Sequence, residues 1–251
     1  MTEQVTAAVL IIGDEILSGR TADVNLNAIA RQLAVRGVDL AEARVVGDNR
    51  ADIVAAVNAL RGRYDYVITT GGIGPTHDDI TADCIAEAFG VPLFEHPEIL
   101  ALLTARWGDS LNAARRRMAR APEGATLVRN PVQGPPGFQI GNVFVLAGVP
   151  VIMRGMLEDV VSRLRGGAVV ISRTVRVEGA GEGAMAEPLE RVARAHPDLA
   201  LGSYPFFGEG GYGSNLVVRG RDPAQVEATV TELIAALADV GAKTITALPP
   251  A

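Results

Sequence analysis

The sequence predicts an α/β protein, a doubly wound and mostly parallel sheet followed by a smaller α+β module. Three observations carry that reading. Two short runs end in glycine: the continuously apolar Ala7-Ala-Val-Leu-Ile-Ile12 before Gly13, which has the length of a strand covered on both faces, and the strand Tyr66-Val-Ile-Thr-Thr70 before Gly71-Gly72. Segments with apolar residues at helical spacing alternate with these runs, as in βαβ units. Beyond Gly166-Gly167 the rhythm changes, and paired glycines mark a domain joint.

Along the chain, Leu26, Ile29, Ala30 and Leu33 define the first helix, which Gly37 stops. Ala43 to Val46 reads as a strand, and Ile53, Val54, Val57 and Leu60 as the next helical stripe. A helix spans Asp79 to Phe89, with two more around Glu98–Trp107 and Asn112–Arg120. Val143-Phe-Val-Leu146 is a central strand, and Pro150 opens a helix whose stripe runs from Ile152 to Leu164. Residues 1–166 are thus one domain. Residues 168–247 form a β-α-β-β-α module: strand 169–177, helix 184–195, strand 199–204, strand 216–219 and helix 223–238. Gly208-Glu-Gly-Gly211 connects two strands as a hairpin, and Tyr204, Phe206 and Phe207 read as core packing. The closing Ala-Leu-Pro-Pro-Ala reads as a frayed tail.

Hydrophobic residues make up 48% of the 251 and charged residues 21%, ordinary values for a globular chain. The apolar run near the start is far shorter than the ~20 residues that cross a bilayer, and the first residues carry no basic cluster, so a cytoplasmic protein is expected. Cys84 is the single cysteine and excludes a cysteine-pair metal site or an internal disulfide; its helical context points to core packing. A net charge of −6 disfavours long nucleic acid but not a small anionic ligand. Arg115-Arg116-Arg117 is expected to be a solvated helix face.

Ligands of open parallel sheets bind at the carboxyl ends of the strands, so the polar loops there hold the candidate residues. After the first strand, Asp14 and Glu15 suit a hydrated divalent cation, with Gly13 at the turn and Ser18, Gly19 and Arg20 lying against phosphate; capping of the turn is the competing role. Asp48 again follows a strand, as a polar group or as a cap for the helix beginning near Asp52. The loop Gly71-Gly-Ile-Gly-Pro-Thr-His-Asp-Asp-Ile-Thr81 carries the most information. Gly71, Gly72 and Gly74, with Pro75 and Thr76, form a cradle whose backbone N–H groups can approach an anion. Asp78 and Asp79 side by side exceed what one helix cap needs and suit a metal or a proton transfer. Asn130 to Phe138 and Gly148-Val-Pro150 supply a rigid wall, with Gly148 and Pro150 as ligand contacts.

The ordered motifs Gly13-Asp-Glu-Ile-Leu-Ser-Gly-Arg20, Val46-Gly-Asp-Asn49, Gly71 to Thr81 and Gly148-Val-Pro150 resemble those of the N-terminal domain of the CinA (competence/damage-inducible protein A) family. The resemblance implies a molybdopterin-binding-like domain of MoaB/MogA type, close to the form fused to eukaryotic FAD synthases, with a KH-like second module. It further implies either metal-dependent hydrolysis of a nucleotide pyrophosphate, ADP-ribose or FAD, or binding of molybdopterin or adenylyl-molybdopterin. A non-catalytic scaffold is the third possibility. Asp48 and Asp79 would then be the catalytic acids. Asp14, Glu15 and Asp78 would hold a divalent metal of Mg, Mn or Co type, and molybdopterin is a possible ligand. The partner is a small nucleotide or pterin, in a homo-oligomer, dimer or trimer. Where the family usually shows Gly-Thr-Ala-Pro-Gly and Pro-Gly-Val-Pro-x-Glu-Met, this chain has Gly134-Pro-Pro-Gly137 and Ala147-Gly-Val-Pro-Val-Ile-Met153, without the threonine and the glutamate. The family's amidohydrolase domain is not expected here.

Overall fold

The computed structural model describes residues 4–208 and 211–249, in two compact units, Met1–Ala168 and Val169–Ala251. Glu209 and Gly210 of the expected hairpin turn, and Pro250 and Ala251 of the expected tail, lie outside the described residues.

In the first unit the chain runs β1 (Val5–Ile12), α1 (Asp14–Leu17), α2 (Asn25–Arg36), β2 (Val38–Val46), α3 (Arg50–Arg61), β3 (Tyr66–Thr70) and α4 (Thr81–Phe89). It continues with β4 (Leu93–Glu95), α5 (Pro97–Trp107), α6 (Ala113–Arg116), β5 (Arg120–Pro122), β6 (Thr126–Val128), β7 (Gly137–Ile140), β8 (Val143–Leu146) and α7 (Pro150–Arg163). The main sheet has the order β2-β1-β3-β8-β7-β6. The first four strands are parallel, and β7 runs antiparallel to both β8 and β6. One face packs Ile53, Val57, Ile85 and Leu103 from α3, α4 and α5, and the other packs Ile29, Leu33, Met153 and Leu157 from α2 and α7. Both faces of β1 are therefore dry, which is why Ala7 to Ile12 is continuously apolar.

The helix expected over Asn112–Arg120 breaks into α6, a short 3-10 turn and β5. Asn112 Oδ1 caps α6 by accepting the Arg115 N–H at 2.9 Å, and β5 pairs with β4 in a separate two-stranded sheet. The Arg triplet is solvated only in part: Arg116 is exposed and pairs with Glu95 at the surface, whereas Arg117 Nη2 donates to the Asp79 carbonyl at 3.3 Å. Nor does Asp48 cap α3; Asn49 does, accepting the Asp52 N–H at 3.2 Å.

The second unit contains β9 (Ile171–Glu178), α8 (Glu182–Ala195), β10 (Ala200–Gly208), β11 (Gly211–Gly220), α9 (Pro223–Ala236) and β12 (Thr244–Ala247). The sheet order is β10-β11-β9-β12, antiparallel throughout, so a fourth strand completes the β-α-β-β-α-β arrangement. Val175, Val177, Leu216 and Val218 face the helices, against Val192, Val226 and Leu233. Phe207 is 83% exposed, Tyr204 is exposed, and Phe206 lies beneath the Arg176 guanidinium, 3.8 Å from the ring centroid. The three aromatic residues are thus not core: by strand alternation Tyr204 and Phe206 lie on the sheet face opposite the helices, and Phe207, on the same face as Leu201, is exposed near the end of β10.

Candidate functional site

Strand order places the switch point of the first sheet between β1 and β3, since β1 leads outward to β2 on one side while β3 and β8 follow on the other. A cleft of about 430 Å³ opens at the carboxyl ends of β1, β3 and β8. Glu15 enters from the turn after β1, Gly71, Gly72, Gly74 and Asp79 from the loop after β3, and Gly148 from the turn after β8. The far wall is apolar and is built by Trp107, Met118, Pro135, Val149, Ile152 and Met156.

The glycine loop is held by the fold more tightly than an open cradle requires. Gly71 and Gly72 have φ of 105° and 66°, in the region that favours glycine. A Cβ on Gly71 would meet the Ile12 carbonyl, and one on Gly72 would press on the Thr81 side chain. Thr81, wholly buried, donates its hydroxyl to Gly71 O and its N–H to Gly72 O, both at 3.0 Å. The Gly71 N–H donates to Leu146 O at 3.2 Å, so that donor serves the sheet and not an anion. Asp79 Oδ2 accepts from the Thr76 N–H at 2.7 Å and from the Thr76 hydroxyl at 2.6 Å. One of its oxygens thus closes the Thr76–Asp79 turn, while the carboxylate still lines the cleft.

Beside the cleft, Asp14 and Asp48 hold one another: the Asp14 N–H donates to Asp48 Oδ2 at 3.0 Å, and the Asp48 N–H donates to Asp14 Oδ1 at 3.3 Å. Burial lifts the Asp48 carboxyl above the ordinary aspartate range against the hydrogen bond from Asp14, and the negative charges of Asp14, Glu15 and Asp78 add to the shift. Neither acid lines the cleft. Ser18 and Gly19 are spent in the turn after α1, Ser18 N–H donating to Asp14 O and Gly19 N–H to Ile16 O, and Arg20 is exposed beyond them. Gly13 donates its N–H to Val46 O at 3.0 Å, tying the ends of β1 and β2. Pro75 and Thr76 are exposed on the outer side of the loop, as is Asp78, whose Oδ1 lies 3.8 Å from His77 Nδ1. Among the described residues no three His, Cys, Asp or Glu side chains gather as a metal-holding group, so Asp14, Glu15 and Asp78 do not form a closed cage. Pro150 lines a smaller pocket on the other side of Gly148.

Residues 8–166 match the family model of the probable molybdopterin binding domain, and residues 169–243 match that of the FAD synthase middle domain. The chain belongs to the CinA-like branch of the molybdopterin-binding-domain family. A CinA-like protein of Gemmatimonas aurantiaca is 38% identical over 212 residues, 78% of this chain and 50% of the relative. The crystal structure of CinA from Thermoplasma acidophilum is similar at 32% identity with a TM-score of 0.59, over 62% of this chain and 95% of that one. MoaB of Thermus thermophilus overlays over 64% of this chain and 92% of its own at 21% identity, TM-score 0.44. The chain spans about half the length of the curated CinA-like relatives it matches.

Sequence reasoning missed Trp107 and Arg106 in this CinA-like cleft. They close α5, and Arg106 Nη2 reaches Gln133 Oε1 at 3.2 Å, joining α5 to the 130–137 wall. The guanidinium groups of Arg106 and Arg115 lie 4.9 and 5.3 Å from the indole centroid. The one available signal was compositional: Trp107 is the only tryptophan, followed directly by Gly108.

Proposed function

We propose that the first unit binds a nucleotide joined through a pyrophosphate, such as ADP-ribose or FAD, and hydrolyses it with a divalent cation of the Mg, Mn or Co type. The observation that supports this most is the pairing, across one cleft at the sheet's switch point, of two carboxylates, Glu15 and Asp79, with an apolar wall containing Trp107. A planar ring buries its faces against Trp107, Met118 and Ile152, which leaves the phosphates toward the Gly72–Gly74 loop. Arg117, at the carbonyl of Asp79, adds positive charge there.

Two carboxylates suit a hard cation that keeps most of its coordination for water and phosphate oxygens, so a protein cage of three acids is not required. When bound, such an ion supplies Lewis acidity at the phosphoryl oxygens. The chain's own part is positional. Thr76 clamps Asp79 Oδ2 and leaves Oδ1 without a hydrogen bond among the described residues. Asp48 anchors the first residue of α1, and through it the neighbouring Glu15.

A pterin meets the same wall, and the family model's description favours that as the second reading. A screen of pyrophosphate-linked nucleotides with and without divalent metal, read by product chromatography, separates the two. Metal-dependent cleavage supports hydrolysis; retention of pterin with no turnover of any nucleotide rejects it. Among the described residues no helix is long and apolar enough to cross a membrane.

A further inference from the structure

Gly148 separates the main cleft from a smaller pocket of about 60 Å³, lined by Glu15, Thr21, Asp23, Asn25, Thr70 and Pro150 among others. Glu15 and Gly148 belong to both cavities, so a ligand lying over Gly148 can reach each of them. Asn25 begins α2 and is 5% exposed. Its Nδ2 donates to the Gly148 carbonyl at 2.8 Å, which fixes the orientation of the carboxamide, but its Oδ1 is buried with no hydrogen-bond partner among the described residues. A buried acceptor left unpaired costs free energy until a donor arrives.

The remaining chemistry of this pocket indicates which donor it takes. Its charged lining groups are Glu15 and Asp23, and among the described residues no Lys, Arg or His lines it. Asp23 Oδ1 already accepts the Leu26 N–H of the first turn of α2 at 2.8 Å. Carboxylates and an unpaired amide oxygen repel phosphate and accept O–H and N–H groups. The volume exceeds that of a single water site several-fold and suits the hydroxyl-bearing edge of a sugar.

We infer that Asn25 is a ligand-binding residue whose Oδ1 accepts a sugar hydroxyl of a nucleotide sugar, held in this side pocket while the ring occupies the main cleft. The inference rests on the main cleft being the nucleotide site. It makes the ligand bipartite: a ring against Trp107, a pyrophosphate near Gly148, and a polyol against Asn25.

The test compares ADP-ribose with analogues lacking the hydroxyls of the terminal ribose one at a time, all with a non-hydrolysable methylene bridge between the phosphates and with Mg²⁺ present, so that the cation stays and turnover does not occur. Binding is followed by quenching of Trp107, the only tryptophan. In the unaltered protein one deoxy analogue binds about tenfold more weakly, the effect of one hydrogen bond to a buried acceptor. In Asn25→Ala that difference disappears. Asn25→Asp keeps an acceptor while losing the donor to Gly148, and it retains the discrimination; it carries the test alone if the alanine variant does not fold. If both variants weaken every analogue equally, or if Asn25→Asp loses the discrimination, Asn25 is only a strut for Gly148 and the inference fails while the cleft assignment stands. If the unaltered protein binds neither ADP-ribose nor any analogue, the cleft assignment fails with it.

Discussion

Asp14 and Asp48 exchange hydrogen bonds, each carboxylate accepting the other's backbone N–H, and this reciprocal pair locks the ends of β1 and β2 beside the cleft. The arrangement places negative charges close together, and Asp48, the more enclosed, titrates above the ordinary aspartate range. A raised carboxyl means that the native state takes up the proton first as pH falls. Stability is therefore reduced at neutral pH and recovers on acidification through the window above about pH 4. Asp48→Asn keeps an oxygen acceptor for the Asp14 N–H and removes the charge. It should raise stability at pH 7 by a few tenths of a kcal/mol, a value discounted for the group's solvent exposure, and the gain should vanish near pH 4. Urea melts of both proteins across this range check it; a difference that does not change with pH would show that the charge is not strained.

For Asp79 the structure separates two roles that one substitution can distinguish. Asp79→Asn keeps an acceptor for Thr76 and so preserves the turn, while reducing the charge at the cleft. Hydrolysis should fall by about two orders of magnitude with an unchanged melting temperature. Thr76→Val instead removes the hydroxyl but keeps the backbone N–H bond, and should cost about 1 kcal/mol of stability with a smaller loss of activity. Full activity in folded Asp79→Asn would remove this acid from the catalytic assignment.

Gly72→Val would crowd a ligand at the loop, but its main effect should be on folding. A side chain at Gly72 must adopt a φ near 66° and displace Thr81, whose hydroxyl and N–H both hold the loop. Gly72→Ala should already destabilise the first unit by about 2 to 4 kcal/mol, visible as an earlier transition in a thermal melt. A melt equal to that of the unaltered protein would mean that the loop relaxes around the new Cβ.

The parts of the fold visible in the sequence are those written in local pattern. Ala7 to Ile12 and Val143 to Leu146 are apolar throughout, and Tyr66 to Thr70 is β-branched and aromatic with two buried threonines, because these strands lie in the middle of a covered sheet. Leu93–Glu95, Arg120–Pro122 and Thr244–Ala247 are strands through pairing with distant partners, and three or four residues carry no period to read. The glycine loop stands out in the sequence because its composition is unusual, and in the structure Gly71 and Gly72 allow the close approach of Ile12 and Thr81. Trp107, Arg106 and Asn25 were not legible. Their meaning depends on where α5 and α2 end in space, and a single tryptophan or asparagine on a helix carries no label of a cleft.

Cys84 provides an internal probe of this unit. It is fully buried in α4, and burial pushes its thiol up to about 11. Native protein should therefore leave a thiol reagent such as DTNB unreacted at pH 8 and release one equivalent only on unfolding. Rapid labelling under native conditions would show that α4 opens from the core far more readily than its packing implies.

Every residue that lines the main cleft precedes Ala168, so the first unit should carry the ligand site by itself. Where the chain is cut matters. The Gly167 N–H donates to the Arg36 carbonyl at 3.2 Å, and the Arg36 guanidinium donates through Nε and Nη2 to the Leu164 carbonyl at 3.2 and 3.0 Å. A truncation after Gly166 removes the first of these bonds and should melt earlier than one after Ala168. Residues 1–168 should be soluble, unfold in one cooperative step and bind ADP-ribose with quenching of Trp107, as the whole chain is expected to do. Its oligomeric state, read by light scattering, reports separately whether assembly needs the second unit. If the 1–168 protein is monodisperse and cooperative yet binds nothing that the full chain binds, residues beyond Ala168 or from a second copy must complete the site. Exposed Tyr204 and Phe207 would then be the first to substitute, because a ring can stack on either without disturbing a core.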